Sequence, residues 1–406
     1  MLRDQADKSG PGWPGSYLRT AGLDCISDPI AEWIPVYRPL LPSAADVARY
    51  LELLDQTRWY SNHGELLHEF AHRLSALFGS SAPIVHPTSS GTTALVGAIL
   101  AAAGRASAAR PLCFCPAYTF VGTVAAAEQC GYQPHFVDIT EEGWAAAPEV
   151  LAKHPLIHQV GLVVPVAVYG QSLAQEPWRR FKQRTGVPVV IDAAAAFEAL
   201  ARDPGSTIGA IPVALSLHAT KAFATGEGGA VVCTDPELLQ RSLEALNFGF
   251  RGGRSCGTMG TNGKMSEYHA AVGLAELDGW AKKRAAFARV TAAYRSAADR
   301  LGIGSRVITA PDIASCYVLY AADDIADAVR ITAALNDAHA EHRFWYGFGV
   351  HREPYYAAMS RDELLMVDRL APRLIGLPSA PDLSENAIVQ ILSALERSKG
   401  RSERAA

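Results

Sequence analysis

The chain has 406 residues, 49% of them hydrophobic, enough to bury a large core and to form more than one structural unit. Its 37 basic and 41 acidic residues leave a net charge of −4 with no block of like sign, which excludes a nucleic-acid stripe and a polybasic membrane patch and points to a small-molecule partner. Seven cysteines (Cys25, Cys113, Cys115, Cys130, Cys233, Cys256, Cys316) form an odd, scattered set without a Cys-x-x-Cys pair, so neither a disulfide framework nor a zinc site is favoured, and no metal is expected.

The start, Met1 to Lys8, is polar and lacks the apolar core of a secretion signal. Apolar runs such as Ala94 to Gly104 reach about ten residues, short of the roughly twenty that span a bilayer, so the expectation is a soluble, cytoplasmic protein. Residues 1–33 are rich in Gly, Pro and charge without periodicity and read as an N-terminal arm. From Ala44, the positions Val47, Tyr50, Leu51 and Leu54 recur at helical spacing, and Leu66, Phe70, Leu74 and Leu77 mark a second helix. Arg58 to Gly64, between them, is a turn-rich link whose polar and aromatic mix suits a surface loop or a pocket wall.

Ile84 and Val85 open a short strand, followed by a Thr-Ser-Ser-Gly-Thr-Thr turn and a helix over Ala94 to Gly104. Free amides at a helix start, with the helix dipole behind them, make Ser89-Ser-Gly-Thr-Thr93 a candidate phosphate cradle, while ordinary Ser or Thr capping explains the same residues. Short apolar runs then recur at Leu112 to Cys115, Gln133 to Val137, Gly161 to Val166, Val187 to Ile191 and Gly229 to Cys233. Helical stretches such as Val121 to Cys130 and Glu176 to Thr185 lie between several of them, the pattern of an α/β fold with a mostly parallel sheet. In such sheets ligand groups gather beyond the carboxyl ends of the strands, where Tyr118-Thr-Phe120 and Asp192 would fall.

The stretch from Asp192 to Gly229 carries the clearest chemistry. A strand delivers the Asp192 carboxylate, and Lys221 follows among small residues and the turn Thr225-Gly-Glu-Gly-Gly229. Lysine is the side chain that holds a carbonyl cofactor as a Schiff base, and a carboxylate keeps a pyridine nitrogen protonated, so the two residues point to pyridoxal phosphate. On spacing alone, two solvated charges remain the alternative.

Gly249 to Gly263 is glycine-rich and irregular, with Arg251, Arg254 and Asn262 inside it, a length that marks a functional or interfacial loop. Ser266 opens a long helix running to about Ala298, and the remainder alternates strand-like (Ser315 to Tyr320) and helix-like (Ile325 to His339, Ser384 to Arg397) segments, as in a smaller α+β unit. The tail from Ser398 is expected to fray.

Several separated segments together resemble the DegT and StrS family of sugar aminotransferases, which are fold-type I pyridoxal phosphate enzymes. They are Ile34-Pro-Val-Tyr-Arg-Pro-Leu40, Ser90-Gly-Thr-Thr-Ala-Leu95, Pro116-Ala-Tyr-Thr-Phe-Val-Gly-Thr123, Tyr169-Gly-Gln171, Asp192-Ala-Ala194, Ser216-Leu-His-Ala-Thr-Lys221, Thr225-Gly-Glu-Gly-Gly229, Gly260-Thr-Asn-Gly-Lys-Met-Ser266 and Leu377-Pro-Ser379. The likeness runs from about Ile34 to Leu395. It implies an α/β large domain over 34–265 that binds pyridoxal 5'-phosphate on a mostly parallel sheet, and a long helix with a small C-terminal α+β domain over 266–406.

The resemblance also assigns roles. Lys221 matches the lysine that forms the Schiff base and moves the proton, and Asp192 the partner of the pyridine nitrogen. Gly91, Thr92, Thr93 and Ser216 match the phosphate site, and Phe120 the aromatic residue stacked on the ring. Asn262 matches an asparagine donated by a neighbouring subunit, which implies a homodimer with shared active sites. The reaction implied is transfer of an amino group, from glutamate or glutamine, to a ketone on a nucleotide-linked sugar or cyclitol. One position departs: the family carries Gln or His third after the aspartate, on the cofactor's phenolic side, and this chain has Ala195, which cannot hydrogen-bond through its side chain. That departure keeps a lyase or carbon-bond-forming reaction on a non-sugar substrate as the alternative. His218 is open between pocket contact and packing, Glu227 has a structural reading in its turn, and the cluster Phe344-Trp-Tyr-Gly-Phe348 is open between substrate contact and core.

Overall fold

The computed structural model describes residues 33–310 and 313–403. The expectation for the arm 1–33 falls outside them except at residue 33, whereas the tail, expected to fray from Ser398, instead continues the helix Glu385–Glu403. Seven strands form the central sheet: β1 (Val85–Thr88), β2 (Leu112–Pro116), β3 (Gln133–Val137), β4 (Val160–Val163), β5 (Ile191–Asp192), β6 (Val213–Ser216) and β7 (Gly229–Val232). One ladder has the order β1-β7-β6-β5, and β4, β2 and β3 are neighbours in the other. Parallel bridges Val163↔Val189 and Val166↔Asp192 join the two. All pairings are parallel except those of β7, which runs antiparallel to both β1 and β6.

β2 and β7 are buried on both faces, and their sequences are unbroken apolar runs rather than alternating ones. The stretch Val187 to Ile191 yields only a two-residue ladder, because Pro188 has no N–H to donate; it accepts from Val163 through its carbonyl at 3.0 Å instead. β6 escaped the sequence reading, which treated Ser216 as part of a site segment. Its residues Val213-Ala-Leu-Ser216 run straight into the site segment without a turn signal between.

Four helices matter for the site: α1 (Ala44–Thr57), α2 (Glu65–Leu77), α3 (Gly91–Ala102) and α4 (Val121–Gln129). The first amides of α2 are closed by a distant group. Glu267, fully buried at the start of the long helix Glu267–Arg300, accepts from Gly64 N–H at 2.8 Å and Leu67 N–H at 3.1 Å. That long helix buries Ala270 and Leu274 in the core under the central sheet and Val290 and Tyr294 in the C-terminal core.

The C-terminal part holds a small antiparallel sheet of β8 (Val307–Ile308) and β9 (Val318–Ala321), with a further strand, β11 (Leu374–Leu377), in the order β11-β9-β8. Strand β10 (Ser360–Arg361) lies apart from it and extends the central sheet, parallel to β3. Among the described residues no helix is long and apolar enough to cross a membrane.

Candidate active site

β5 ends on Asp192, at the carboxyl edge of the parallel strands, and the carboxylate is 5% exposed. Thr123 Oγ1 donates to its Oδ2 at 2.6 Å and the Ala194 amide to its Oδ1 at 3.0 Å. Burial raises the Asp192 pKa, opposed by the Thr123 hydrogen bond, the Ala194 amide and the charge of Lys221. A carboxylate so deep, held by neutral donors, fits a cationic ring nitrogen as its partner.

Lys221 sits in a closed turn after β6. Leu217 N–H donates to Gly228 O at 2.9 Å, Ala219 N–H to Gly226 O at 2.7 Å and Lys221 N–H to His218 O at 2.9 Å. The lysine Nζ donates to the Tyr317 hydroxyl at 3.2 Å. His218 belongs to the turn itself: its Nδ1 accepts from Thr220 N–H at 3.3 Å and faces Thr220 Oγ1 at 2.8 Å, which leaves Nε2 towards Glu227 at 3.6 Å. Both side chains are thus tied to the turn that carries Lys221.

The phosphate-cradle residues converge as well. Ser90 caps α3, accepting from Thr93 N–H at 3.1 Å, and the Thr93 hydroxyl accepts from Ser90 N–H at 2.9 Å. Thr93 is therefore committed to the cap, while the amides of Gly91 and Thr92 precede the first intrahelical bond. Gly91 lies against Ser216, where a Cβ would stand 2.7 Å from the serine Cβ and 3.1 Å from its Oγ. Gly229 passes so close under this turn that a Cβ would stand 2.3 Å from Ser90 O and 2.7 Å from Gly91 N. The glycines are required by space: they bring the start of α3 and the end of β6 into one cradle, a fit for a phosphate group.

Phe120, the residue before α4, leaves 63% of its surface exposed, and its ring and Thr92 Oγ1 flank Gly122, 3.2 Å and 3.5 Å from where a Cβ would stand. An exposed aromatic face next to the cradle suits a planar ring. Asn262 is exposed and its carboxamide oxygen accepts from Lys264 at 2.7 Å, while its loop is tied to the cradle by Ser89 N–H donating to Gly263 O at 2.8 Å.

Two groups of the site went unassigned in the sequence. Thr123, which holds Asp192, lies inside the Pro116 to Thr123 motif, and Tyr317, which meets Lys221, lies on the segment before β9 with no local signal beyond alternation. Tyr118, Tyr169, Tyr317 and Tyr346 pack together, Tyr118 to Tyr346 at 5.0 Å, Tyr169 to Tyr346 at 5.1 Å and Tyr169 to Tyr317 at 5.5 Å between ring centres. Trp345 meets Tyr317 and Tyr37, each at 4.9 Å. Of the segment Phe344 to Phe348, Trp345 and Tyr346 thus join the wall behind the lysine, whereas Phe348 is exposed. Ala195 packs against the same cluster.

The profile of the DegT/DnrJ/EryC1/StrS aminotransferase family matches residues 43–396. The chain is 29% identical over 384 residues to Protein Rv3402c of Mycobacterium tuberculosis, covering 91% of each. It is 31% identical over 288 residues to a dTDP-3-amino-3,4,6-trideoxy-alpha-D-glucose transaminase of Streptomyces venezuelae, covering 69% of this chain and 74% of that one. Among solved structures, it is similar to DesI in the presence of its TDP-sugar product, with a TM-score of 0.78 at 28% identity over 92% of this chain and 95% of that chain.

Proposed function

We propose that this chain, which belongs to the DegT/DnrJ/EryC1/StrS aminotransferase family, moves an amino group from glutamate or glutamine to a ketone on a nucleotide-linked sugar or cyclitol. The family is one of pyridoxal-phosphate-dependent sugar aminotransferases, and relatives act on nucleotide-linked sugars by their names. The observation that carries the reading is the convergence of Asp192, Lys221, Ser216 and the start of α3 at the carboxyl edge of one sheet.

When bound, pyridoxal phosphate supplies an aldehyde for amines and a ring that draws electrons from the substrate carbon. Lys221 would hold it and carry a proton on Nζ between the two carbon positions that exchange hydrogen. Asp192, kept in place by Thr123 and Ala194, would keep the ring nitrogen protonated. The amides of Gly91 and Thr92 with the Ser216 hydroxyl would bind the phosphate, and Phe120 offers its exposed face to the ring. The buried tyrosine wall excludes water behind Lys221. The amino donor leaves as its keto acid, and the ketone oxygen leaves as water.

The same reading divides the chain into an arm over 1–33, a cofactor-binding domain over 34–265 and a small domain over 266–406, with Asn262 serving the site of a second copy in a homodimer. The test is a half-reaction. Protein loaded with pyridoxal phosphate and given glutamate alone is expected to release one 2-oxoglutarate per site and lose its visible absorption, and Lys221→Ala to do neither. Absence of release with glutamate, glutamine and other common amino donors would favour the lyase reading and overturn this one.

A further inference from the structure

Ala195 offers no side-chain hydrogen bond to the site, and it packs against the aromatic cluster that holds Tyr317. Gly170 marks the spot: a Cβ there would stand 3.3 Å from Ala195 O and 3.5 Å from Ser315 Oγ. Ser315 Oγ in turn accepts from Tyr317 N–H at 3.1 Å. Tyr317 is 9% exposed, its ring held between Tyr169 and Trp345, and its hydroxyl meets Lys221 Nζ at 3.2 Å. On pyridoxal phosphate the ring carbon that carries the aldehyde lies between the phenolic carbon and the carbon that carries the phosphate arm. The cradle of Gly91 and Ser216 takes the arm, and Tyr317 belongs to the separate cluster that Ala195 joins, so its hydroxyl falls to the phenolic side.

We propose that Tyr317 is the positioning residue for Lys221 and that its hydroxyl takes over, on the cofactor's phenolic side, the hydrogen bonding that the Ala195 side chain lacks. The assignment rests on the role proposed for Lys221. It explains why a single-residue departure in the Asp192 segment leaves the site chemically complete: the missing donor is replaced from the small sheet, 96 positions away from the lysine. A phenol suits the task because burial holds its pKa well above the ordinary value of 10.0, so it stays neutral and both donates and accepts. Its ring packing also fixes the hydroxyl, since two neighbouring aromatic rings meet it nearly edge-on.

Tyr317→Phe removes the oxygen and keeps the ring, and two readouts separate positioning from mere packing. In the apo-protein, the rate of Lys221 acetylation by acetic anhydride at a fixed pH, followed by mass spectrometry, reports the amine directly. Lys221 Nζ donates to the phenol oxygen, so losing that oxygen is expected to free the amine and raise its labelling rate several-fold. In protein loaded with pyridoxal phosphate, the pH midpoint of the visible absorption is expected to move in Tyr317→Phe and to return towards wild type when Ala195→Gln is added. An unchanged labelling rate and an unchanged absorption midpoint, with only a lower melting temperature, would overturn the assignment alone. A wild-type protein that takes up no pyridoxal phosphate at Lys221 would overturn the aminotransferase reading, and this assignment with it.

Discussion

Thr123 Oγ1 donates to Asp192 Oδ2 across 2.6 Å, from the first turn of α4 to the end of β5. Thr123 Oγ1 also lies 2.7 Å from Thr119 Oγ1, so with its proton given to the carboxylate it accepts from Thr119. Two hydroxyls in series thus hold the buried carboxylate in one orientation. Thr123→Val removes a hydrogen bond to a charged group, worth about 1.5–3 kcal/mol, and is expected to weaken pyridoxal phosphate binding at least tenfold while Thr123→Ser keeps most of it. Titrating apo-protein with the cofactor measures this, and equal affinity in the valine variant would contradict it.

Asp192 gives the apo-protein a pH signature. Its folded pKa is raised above 3.8, burial being the largest cause, so the native state holds the proton more tightly than the unfolded chain. The apo-protein therefore loses stability as pH rises from 3.8 through the raised value, and none of that loss is regained at higher pH. Asp192→Asn removes the ionisation. The expected outcome is an apo-variant at least as stable as wild type near neutral pH that fails to retain the cofactor. Thermal unfolding across pH, with and without pyridoxal phosphate, checks both halves.

The homodimer reading makes Asn262 contribute across subunits. Asn262→Ala is expected to speed cofactor loss on gel filtration several-fold with the dimer intact by sedimentation. A fully active wild-type monomer would contradict the shared site.

Asp362 clamps the edge of the central sheet. His135 Nε2 and His154 Nε2 both lie 2.9 Å from its Oδ1, tying β3 to the chain just after β10. Because His154 Nδ1 accepts from Leu156 N–H at 3.1 Å, the His154 proton is on Nε2 and is donated to Asp362. Asp362→Ala strands Nε2 of His135, whose side chain is 4% exposed, leaving its Nδ1 with Ser360 Oγ at 2.8 Å, and is expected to lower stability by about 1–3 kcal/mol. Urea unfolding measures it, and Asp362→Asn, which still accepts, is expected to lose less.

Much of the site was legible in order along the chain. Asp192 and Lys221 announced themselves because a strand-end carboxylate and a lysine among glycines have a specific joint chemistry, and Gly91 and Phe120 because they lie in quoted motifs. Strands were legible as short apolar runs, as over Leu112–Pro116, whereas Val213–Ser216 was hidden because it runs straight into the Ser216 to Lys221 motif. His218 and the Phe344 to Phe348 cluster stayed ambiguous because residue type alone does not say which neighbours a ring will meet.

The sequence by itself determined the local pieces: the amphipathic spacing of α1 and α2, the cap at Ser90, and the reactive groups at Asp192 and Lys221, each fixed by residue type within a few positions. Only the tertiary structure decided how they are served. Thr123 reaches Asp192 over 69 positions and Tyr317 reaches Lys221 over 96. Contacts at that separation depend on the path of the whole chain and on the close approach of Gly91 to Ser216 and of Gly229 to Ser90. No local periodicity encodes them.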